Sequence, residues 1–399
     1  MSIKMLSKKE YNLAIFLSAV IALAAVLFIL NFVHAHNAPL GKVTDRYPSS
    51  TENGLVLSAD FYIPEKPRPL LLFLHGWHGN AGDFLAENFP HEKLHKSYFI
   101  VAPNMRGRNG DPGNPDASGF ELLDAIDAVK YACKKWSAYI DKNKAICVLG
   151  GSGGGGNALT LAGKAPDMFG AVVSINGISD YADWFYINGS PPEAFQDEML
   201  IWIGGSPLDN PWGYFSRSGI YLLPNVITNV LLIHAKDDGA VPAWHSQRYY
   251  FWSVVEKARF HRQHNVQLVL IKGKHNSYNF NPIFKFLAHA KNDLHLPRKG
   301  TLLVHSFIVT KNFDIILDSA SGAGSAYYEL DNEGRLITLV MTKEYPANLE
   351  SSFRIILQKS VSIVMAKADN HPEEKKATGG QTIFEFKYEK NIVLRFTYS

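Results

Sequence analysis

The residues in this chain most able to do chemistry surround a serine, Ser152. The stretch Gly150–Gly154 has the pattern Gly-x-Ser-x-Gly, which is typical of a nucleophile elbow, a sharp strand-to-helix turn that exposes the hydroxyl. Ala145–Leu149 before it is typical of a buried parallel strand, and Asn157–Ala165 after it has helical spacing and stops before Pro166. A plain glycine-rich loop is the alternative. A phosphate-binding loop is disfavoured, because no Lys-Ser/Thr pair follows the glycines.

A base and an acid for this serine are expected further along the chain. A serine hydroxyl becomes nucleophilic when a base removes its proton and a carboxylate orients that base. After a nucleophile elbow the acid comes first and the histidine second, each just past a later strand. Strand-like Val230–Ile233 is followed by Asp237 and Asp238, and strand-like Val266–Ile271 is followed by His275. His275 is therefore the predicted base, and one of the two adjacent aspartates is the predicted acid.

An oxyanion hole is the third requirement, since backbone N–H groups must face the developing negative charge. One N–H is expected from Gly153, directly after the serine, and another from the turn after an early strand. Strand-like Leu70–Leu74 is followed by the turn His75–Gly79, whose glycines allow close backbone approach. Trp77 is the candidate for the second donor. We interpret the two histidines of this turn as structural.

The elements that must position these residues alternate between strand-like and helix-like runs. Such alternation predicts a mostly parallel sheet covered by helices, with ligands binding at the carboxyl ends of the strands. Leu55–Ile63 alternates after a turn signal and is predicted to be an antiparallel edge strand. The other predicted strands are Leu70–Leu74, Tyr98–Ala102, Ala145–Leu149, Ala171–Ile175, Val230–Ile233 and Val266–Ile271, and the predicted helices are Phe120–Trp136, Asn157–Ala165, Ala243–Arg262 and Pro282–Lys291.

The C-terminal quarter has a different pattern. From Gly300 onward the runs are β-like, with no convincing helix between them, which predicts an appended all-β domain over residues 300–399, in the form of a small sandwich. These runs are Thr301–Thr310, Phe313–Asp318, Arg335–Thr342, Phe353–Met365 and Thr382–Tyr398.

An insertion at residues 180–229 is rich in aromatic residues. Beside an active site this composition predicts a cap with an apolar acyl or side-chain pocket, and core packing of a small lid explains it equally well. The candidate substrate-binding residues are Tyr181, Trp184 and Phe185.

The N-terminal residues 1–35 fit a membrane anchor or an export signal. Three lysines among the first nine residues precede the apolar run Leu13–Leu30, and the apolar character extends to Val33. A cleaved signal has a core of about 7–15 residues and a spanning helix needs about 20. We therefore expect an uncleaved anchor with the enzyme outside the cytoplasm. Secretion after cleavage at Ala35 is the alternative. Polar residues 36–50 are predicted to be a linker to a catalytic domain at 51–299.

Composition excludes several classes of function. The chain has 399 residues, 46% hydrophobic and 19% charged, which is globular composition with room for two or three domains. A net charge of +3 gives no argument for a nucleic-acid partner. The two cysteines, Cys133 and Cys147, form neither a disulfide framework nor a zinc motif, although a single bridge between them remains open. No cofactor or metal is expected.

Taken together, these segments resemble the catalytic domain of the prolyl oligopeptidase (S9-like) group within the α/β-hydrolase superfamily. The resemblance implies an α/β-hydrolase fold, and it implies Asp238 rather than Asp237 as the acid, since the family's aspartate stands three residues before a valine. In prolyl oligopeptidases proper, a hydrolase domain is joined to a β-propeller. The residues before the first core strand of this chain are too few to form such a propeller. The matching segments, over roughly residues 50–292, are His75–Trp77, Asn104–Gly107, Gly150–Gly156, Asp238–Pro242 and His275.

The sequence therefore predicts an exported serine hydrolase, a peptidase or a carboxylic ester hydrolase, that acts through an acyl-enzyme. The alternative is a non-catalytic exported protein that uses a hydrolase scaffold for binding. A complete set of nucleophile, base and acid in the right order argues against that alternative. A transferase or haloperoxidase on the same site, the natural substrate and the oligomeric state stay open.

Overall fold

The computed structural model describes residues 41–86, 89–187, 193–260, 265–345, 351–358, 364–368, 374–377, 382–388 and 391–398. Their strands form two sheets. The strands of the first sheet are β1 (Gly41–Pro48), β2 (Val56–Ile63), β3 (Leu70–Leu74), β4 (Phe99–Pro103), β5 (Ile146–Gly151), β6 (Phe169–Ile175), β7 (Asn229–Ala235) and β8 (Val266–Ile271). The helices are α1 (His91–Ser97), α2 (Glu121–Lys135), α3 (Gly153–Lys164), α4 (Tyr181–Tyr186), α5 (Glu193–Met199), α6 (Pro211–Phe215), α7 (Trp244–Phe260) and α8 (Phe280–Leu287).

The first sheet is the predicted, mostly parallel one. Its strand order is β1-β2-β4-β3-β5-β6-β7-β8, and all neighbouring pairs from β4 to β8 are parallel. Both faces are buried, because alternate residues of one strand enter different apolar clusters: Leu70 and Leu72 on one face, Leu71 and Phe73 on the other. Helices α2, α3 and α7 contribute to the first cluster, and α1 and α8 to the second. The predicted α/β-hydrolase fold is confirmed.

The edge of this sheet differs from the prediction. Gly41–Pro48 is a strand that pairs antiparallel with Val56–Ile63, so the predicted linker over residues 36–50 is wrong for this part. For the same reason Val56–Ile63 is not an edge strand, because it lies between β1 and β4. The polar composition of β1 reflects its place at the sheet edge, where Tyr47 is its only fully buried residue.

The C-terminal region is all-β, as predicted, and its strands form one continuous sheet that folds back on itself, because Phe384 and Phe396, from strands far apart in the sheet, have ring centroids 6.0 Å apart. Ten antiparallel strands follow the order β16-β15-β18-β13-β12-β9-β10-β11-β14-β17. The prediction lacked β12, which lies near the centre and turns alternate residues inward despite its glycine and alanines. The strands are β9 (Lys299–His305), β10 (Phe307–Val309), β11 (Phe313–Leu317), β12 (Ala323–Leu330), β13 (Leu336–Tyr345), β14 (Ser351–Leu357), β15 (Val364–Ala368), β16 (Glu374–Ala377), β17 (Thr382–Tyr388) and β18 (Asn391–Tyr398).

The second sheet packs directly on the first domain. Phe307, Val309, Ile316 and Ile356 belong to the same buried cluster as the helices on one face of the parallel sheet. Asn225 strengthens the contact, because its side chain donates to the carbonyl of Leu303 and accepts from its N–H, both at 2.8 Å. The C-terminal sheet therefore completes the hydrophobic core of the first domain.

The predicted membrane anchor, Leu13–Val33, lies outside the described residues. Within the ranges given above, no helix combines the length and the apolar character needed to cross a membrane.

Candidate active site

Ser152 occupies the sharp turn between β5 and α3. Its φ is +56°, in a region that non-glycine residues rarely adopt and that is retained where the surroundings enforce it. The backbone on both sides is anchored: Ser152 N–H donates to the carbonyl of Ile175 at 2.8 Å, and Gly156 N–H donates to the carbonyl of Ser152 at 3.1 Å. The turn therefore holds the serine hydroxyl above the carboxyl end of the sheet.

The glycines around the serine are required by close backbone approaches. A Cβ at Gly150 would overlap the carbonyl of Gly154, and a Cβ at Gly154 would overlap the carbonyl of Leu74. Strand β5, helix α3 and strand β3 therefore meet without space for side chains, as expected for a nucleophile elbow.

A continuous hydrogen-bonded chain links Ser152, His275 and Asp238. The distance from Ser152 Oγ to His275 Nε2 is 2.8 Å, and that from His275 Nδ1 to Asp238 Oδ2 is 2.7 Å. Asp237 is exposed and takes no part in this chain. The structure thus brings the predicted nucleophile, base and acid together, with Asp238 rather than Asp237 facing the imidazole.

Asp238 is held as a buried carboxylate. Its side chain is fully shielded from solvent, and its Oδ1 accepts hydrogen bonds from the N–H groups of Ala240 and Val241, both at 2.9 Å. Burial on its own would raise the pKa of Asp238, but hydrogen bonds from His234 and His275 hold this pKa well below its usual range. The acid therefore stays ionised and can orient the imidazole.

Asn176, which the sequence analysis did not identify, supports the loop that carries His275. Its side-chain amide donates to the carbonyl of His275 at 2.5 Å, and its Oδ1 accepts from Ala235 N–H at 2.8 Å. The φ of Asn176 is +50°, a conformation in which asparagine is enriched. A polar residue directly after strand β6 was the available signal.

The two predicted oxyanion-hole donors lie side by side. A Cβ built on Gly153 would lie 3.0 Å from the backbone N of Trp77 and 3.1 Å from its Cα. Gly153 begins helix α3, and the first N–H groups of a helix have no acceptor within that helix. The backbones of Trp77 and Gly153 are therefore in contact next to Ser152, as a shared oxyanion hole requires.

The turn that contains Trp77 is tied to the aromatic-rich insertion through Glu198 of α5. Trp77 Nε1 donates to Glu198 Oε2 at 2.5 Å, and His78 Nε2 lies 2.8 Å from the same oxygen. Sequence reasoning missed Glu198, because nothing in its neighbourhood indicates contact with a turn about 120 residues earlier.

A cavity of about 790 Å³ opens at Ser152 and His275. Of the three predicted substrate-binding residues, Trp184 lines it, whereas Tyr181 and Phe185 do not. Tyr181 is buried, with its hydroxyl 2.8 Å from Ser118 Oγ, and Phe185 packs against Tyr214. These two predictions are wrong, because composition alone does not give the direction of a side chain on a short helix. The aromatic residues of the cavity wall are Phe73, Trp77, Phe89, Trp184, Phe195 and Tyr278.

Part of this chain is similar to a known family. The model of the prolyl oligopeptidase family (Peptidase_S9) matches residues 93–290, a range that includes Ser152, Asp238 and His275. An uncharacterized peptidase of Bacillus subtilis (strain 168), YtmA, is 27% identical over 151 residues, which cover 38% of this chain and 56% of that protein. The predicted resemblance to this family is thus confirmed over residues 93–290.

Solved structures of similar fold include two acylaminoacyl peptidases. One, in complex with Z-Gly-Gly-Phe-chloromethyl ketone, has a TM-score of 0.52 and 22% identity over 64% of this chain and 42% of that chain. The enzyme of Pyrococcus horikoshii has a TM-score of 0.52 and 21% identity over 67% of this chain and 44% of that chain. This chain thus spans less than half of either structure, and the likeness shows the fold. Residues 93–290 resemble the catalytic domain of the prolyl oligopeptidase family, within the α/β-hydrolase superfamily.

Proposed function

We propose that this protein is a serine hydrolase that cleaves peptide or ester bonds through an acyl-enzyme intermediate. The hydrogen-bonded chain from Ser152 through His275 to Asp238 carries the proposal, because its distances match those required between nucleophile, base and orienting acid. A binding protein has no use for a serine held in a strained turn beside a histidine and a shielded carboxylate. This argues against the non-catalytic alternative.

In the proposed first step, Ser152 Oγ attacks the substrate carbonyl carbon while its proton passes to His275 Nε2. The carbonyl electron pair moves onto oxygen, where the N–H groups of Trp77 and Gly153 stabilise it. Asp238 holds the imidazole and stabilises its protonated form. As the intermediate collapses, the bond to the leaving amine or alcohol breaks and His275 supplies the proton.

The second half-reaction releases the acid. Water attacks the acyl-enzyme carbonyl while His275 takes its proton, and the bond to Ser152 Oγ then breaks as the proton returns to the serine. The carboxylic acid leaves, and the nucleophile, base and acid are restored. No cofactor enters these steps.

The cavity supports a substrate with an apolar or aromatic group next to the bond that is cleaved. Trp184, Phe195 and Tyr278 line it together with Ser152, and aromatic walls favour apolar side chains or acyl groups. The family match and the Bacillus relative favour peptides among the possible substrates.

Labelling with a fluorophosphonate probe tests the nucleophile directly. The full-length protein should be labelled and should hydrolyse short p-nitrophenyl esters, whereas Ser152→Ala should lose the label and fall in kcat by about 10⁶-fold. Ser179→Ala is a matched control, since Ser179 lies outside the cavity and near a different histidine, His245. Labelling of Ser152→Ala, or no labelling of the folded wild type, would show that the assignment is wrong.

We also propose that the catalytic domain lies outside the cytoplasm, held by the apolar segment Leu13–Val33. The lysines before this segment support cytoplasmic placement of the amino terminus. The protein should then sediment with membranes, resist extraction with high salt and dissolve in detergent. A soluble mature form that begins at His36 would contradict the anchor and favour secretion, without affecting the proposed chemistry.

A further inference from the structure

Arg108 lies behind the turn that carries Trp77 and is not part of the cavity wall. Its Nη1 donates to the backbone carbonyl of Trp77 at 2.9 Å, and its Nη2 donates to Glu121 Oε2 at 3.0 Å. The side chain of Arg108 is 11% exposed and that of Glu121 2%. Because both groups are shielded, water cannot readily replace either bond if one partner is removed.

The same guanidinium also contacts the aromatic side of this turn. Arg108 Cζ lies 4.5 Å from the ring centroid of Trp202. The Trp202 ring is stacked on that of Trp77, with 5.1 Å between centroids and 17° between planes. Arg108 therefore restrains Trp77 twice, through its carbonyl and through the stack that fixes its ring.

Glu121 holds Arg108 in place and is itself held through Ser118. Its Oε1 accepts from Ser118 N–H at 2.8 Å. The carbonyl of Ser118 accepts from Lys164 Nζ at 3.2 Å, and Lys164 Nζ donates to Ser306 Oγ of the second sheet at 3.0 Å. The guanidinium is thus anchored in the interior of the protein, and it does not sample the many positions open to a surface arginine.

From these contacts we propose that Arg108 is a positioning residue for the oxyanion hole, acting through the backbone of Trp77. The inference rests on the proposed function, since it assigns a task to the same site. An N–H donor stabilises a transition state only when it is already aimed at the position of the developing charge. The carbonyl of Trp77 lies in the peptide that follows the one carrying its N–H, so fixing this carbonyl, together with the ring, restricts rotation of the Trp77 backbone and keeps its N–H beside Gly153.

The test measures full-length Arg108→Gln and Arg108→Lys with a p-nitrophenyl ester. Arg108→Gln should lower kcat by about 10- to 100-fold, the size expected when a catalytic group is misplaced by about 1 Å, with KM little changed. Arg108→Lys keeps the charge beside Glu121 and one donor, so its kcat should lie between those of the wild type and Arg108→Gln. If the glutamine variant fails to fold, the lysine variant alone carries the comparison.

Arg106→Gln is the matched control. Arg106 belongs to the same loop and is even more deeply buried, with 4% of its side chain exposed, but its partners are Asp124, Glu52 and Thr51, none of which belongs to the Trp77 turn. This variant should lower the Tm while kcat of the folded protein stays within about twofold, because no group near the reacting atoms moves.

A second measurement distinguishes a positioning role of Arg108 from a general loss of rigidity in the variant. A trifluoromethyl ketone that binds covalently through an oxyanion should lose affinity for Arg108→Gln by the same factor as kcat, whereas the corresponding alcohol should bind as it does to the wild type. A wild-type kcat in Arg108→Gln, or an equal loss in Arg106→Gln, would overturn the inference alone. A wild type without turnover would overturn it together with the proposed function.

Discussion

Two buried ionisable groups of this protein, Asp238 and Lys164, show opposite behaviour. Asp238 receives hydrogen bonds from two histidines and two backbone N–H groups, which hold its pKa well below the usual range although burial opposes this. Lys164 lies deeper in the protein than Asp238, and its described hydrogen-bond partners are the carbonyl of Ser118 and the hydroxyl of Ser306. Burial, together with the nearby charge of Arg217, lowers the pKa of Lys164 to about 7.

The difference shows that the hydrogen-bond partners of a buried group, together with its depth, decide whether it keeps its charge. Asp238 works as a permanent anion because donors surround it. Lys164, at the contact between the two sheets, loses its proton near neutral pH. Asp238 therefore keeps its charge over a wide pH range, whereas Lys164 makes the stability of the protein depend on pH.

Replacing Asp238, the buried anion, should have the largest effect, a loss of activity. Asp238→Asn preserves shape but removes the charge that orients and stabilises the imidazole, so kcat for ester hydrolysis should fall by about 10⁴-fold, with little change in the Tm. Asp237→Asn is the control, because Asp237 is exposed and outside the hydrogen-bonded chain. Similar activity in the two variants would mean that Asp238 is not the acid.

Replacing Lys164, the buried amine, should change how the free energy of unfolding depends on pH. Since the pKa of Lys164 is lowered to about 7 in the folded state, the unfolded chain binds more protons between this value and the ordinary lysine pKa. Stability of the wild type should therefore rise with pH over that window, by up to about 1.4 kcal/mol per pH unit from this group. Lys164→Met should lose this contribution.

Urea unfolding of the wild type and Lys164→Met at pH 7.0 and about pH 9.5 measures the difference. Lys257→Met, at an exposed position of α7, is the control and should follow the wild type. Identical pH dependence in Lys164→Met and the wild type would show that Lys164 keeps an ordinary pKa in the folded protein.

The smallest expected effect comes from the hydroxyl that joins Lys164 to the second sheet. Ser306→Ala should lower the free energy of unfolding by about 1 kcal/mol, the usual size for one buried hydrogen bond, and leave kcat unchanged. In the Lys164→Met background the same change should cost less, because only the bond from Ser306 Oγ to the carbonyl of Ala320, at 2.8 Å, is then left to lose. Equal costs in both backgrounds would mean that Ser306 and Lys164 do not interact.

The residues of the site were predictable because each stands directly after a strand, with a motif or a fixed order to mark it. The flanking glycines marked Ser152 as the nucleophile. The positions of His275 after β8 and of the aspartate pair after β7 marked the base and the acid. The choice of Asp238 over Asp237 needed the family resemblance, since adjacent residues share every pattern in the sequence.

The supports of the site were not predictable in the same way. Asn176, Glu198 and Arg108 act on segments far away in the chain, and no local pattern encodes such a contact. The strand Gly41–Pro48 was hidden because an edge strand needs few apolar residues. The C-terminal sheet was expected as a separate unit, since a shared core leaves no mark in the sequence of either partner.

That shared core has a consequence for the order in which the molecule is made. Phe307, Ile316 and Ile356 fill the face of the catalytic domain, and they leave the ribosome after Ser152, Asp238 and His275. A nascent chain that has been translated only as far as His275 therefore still lacks part of its hydrophobic core. It also lacks Ser306, the hydrogen-bond partner of Lys164. The first domain can therefore complete its core only after these strands have been translated.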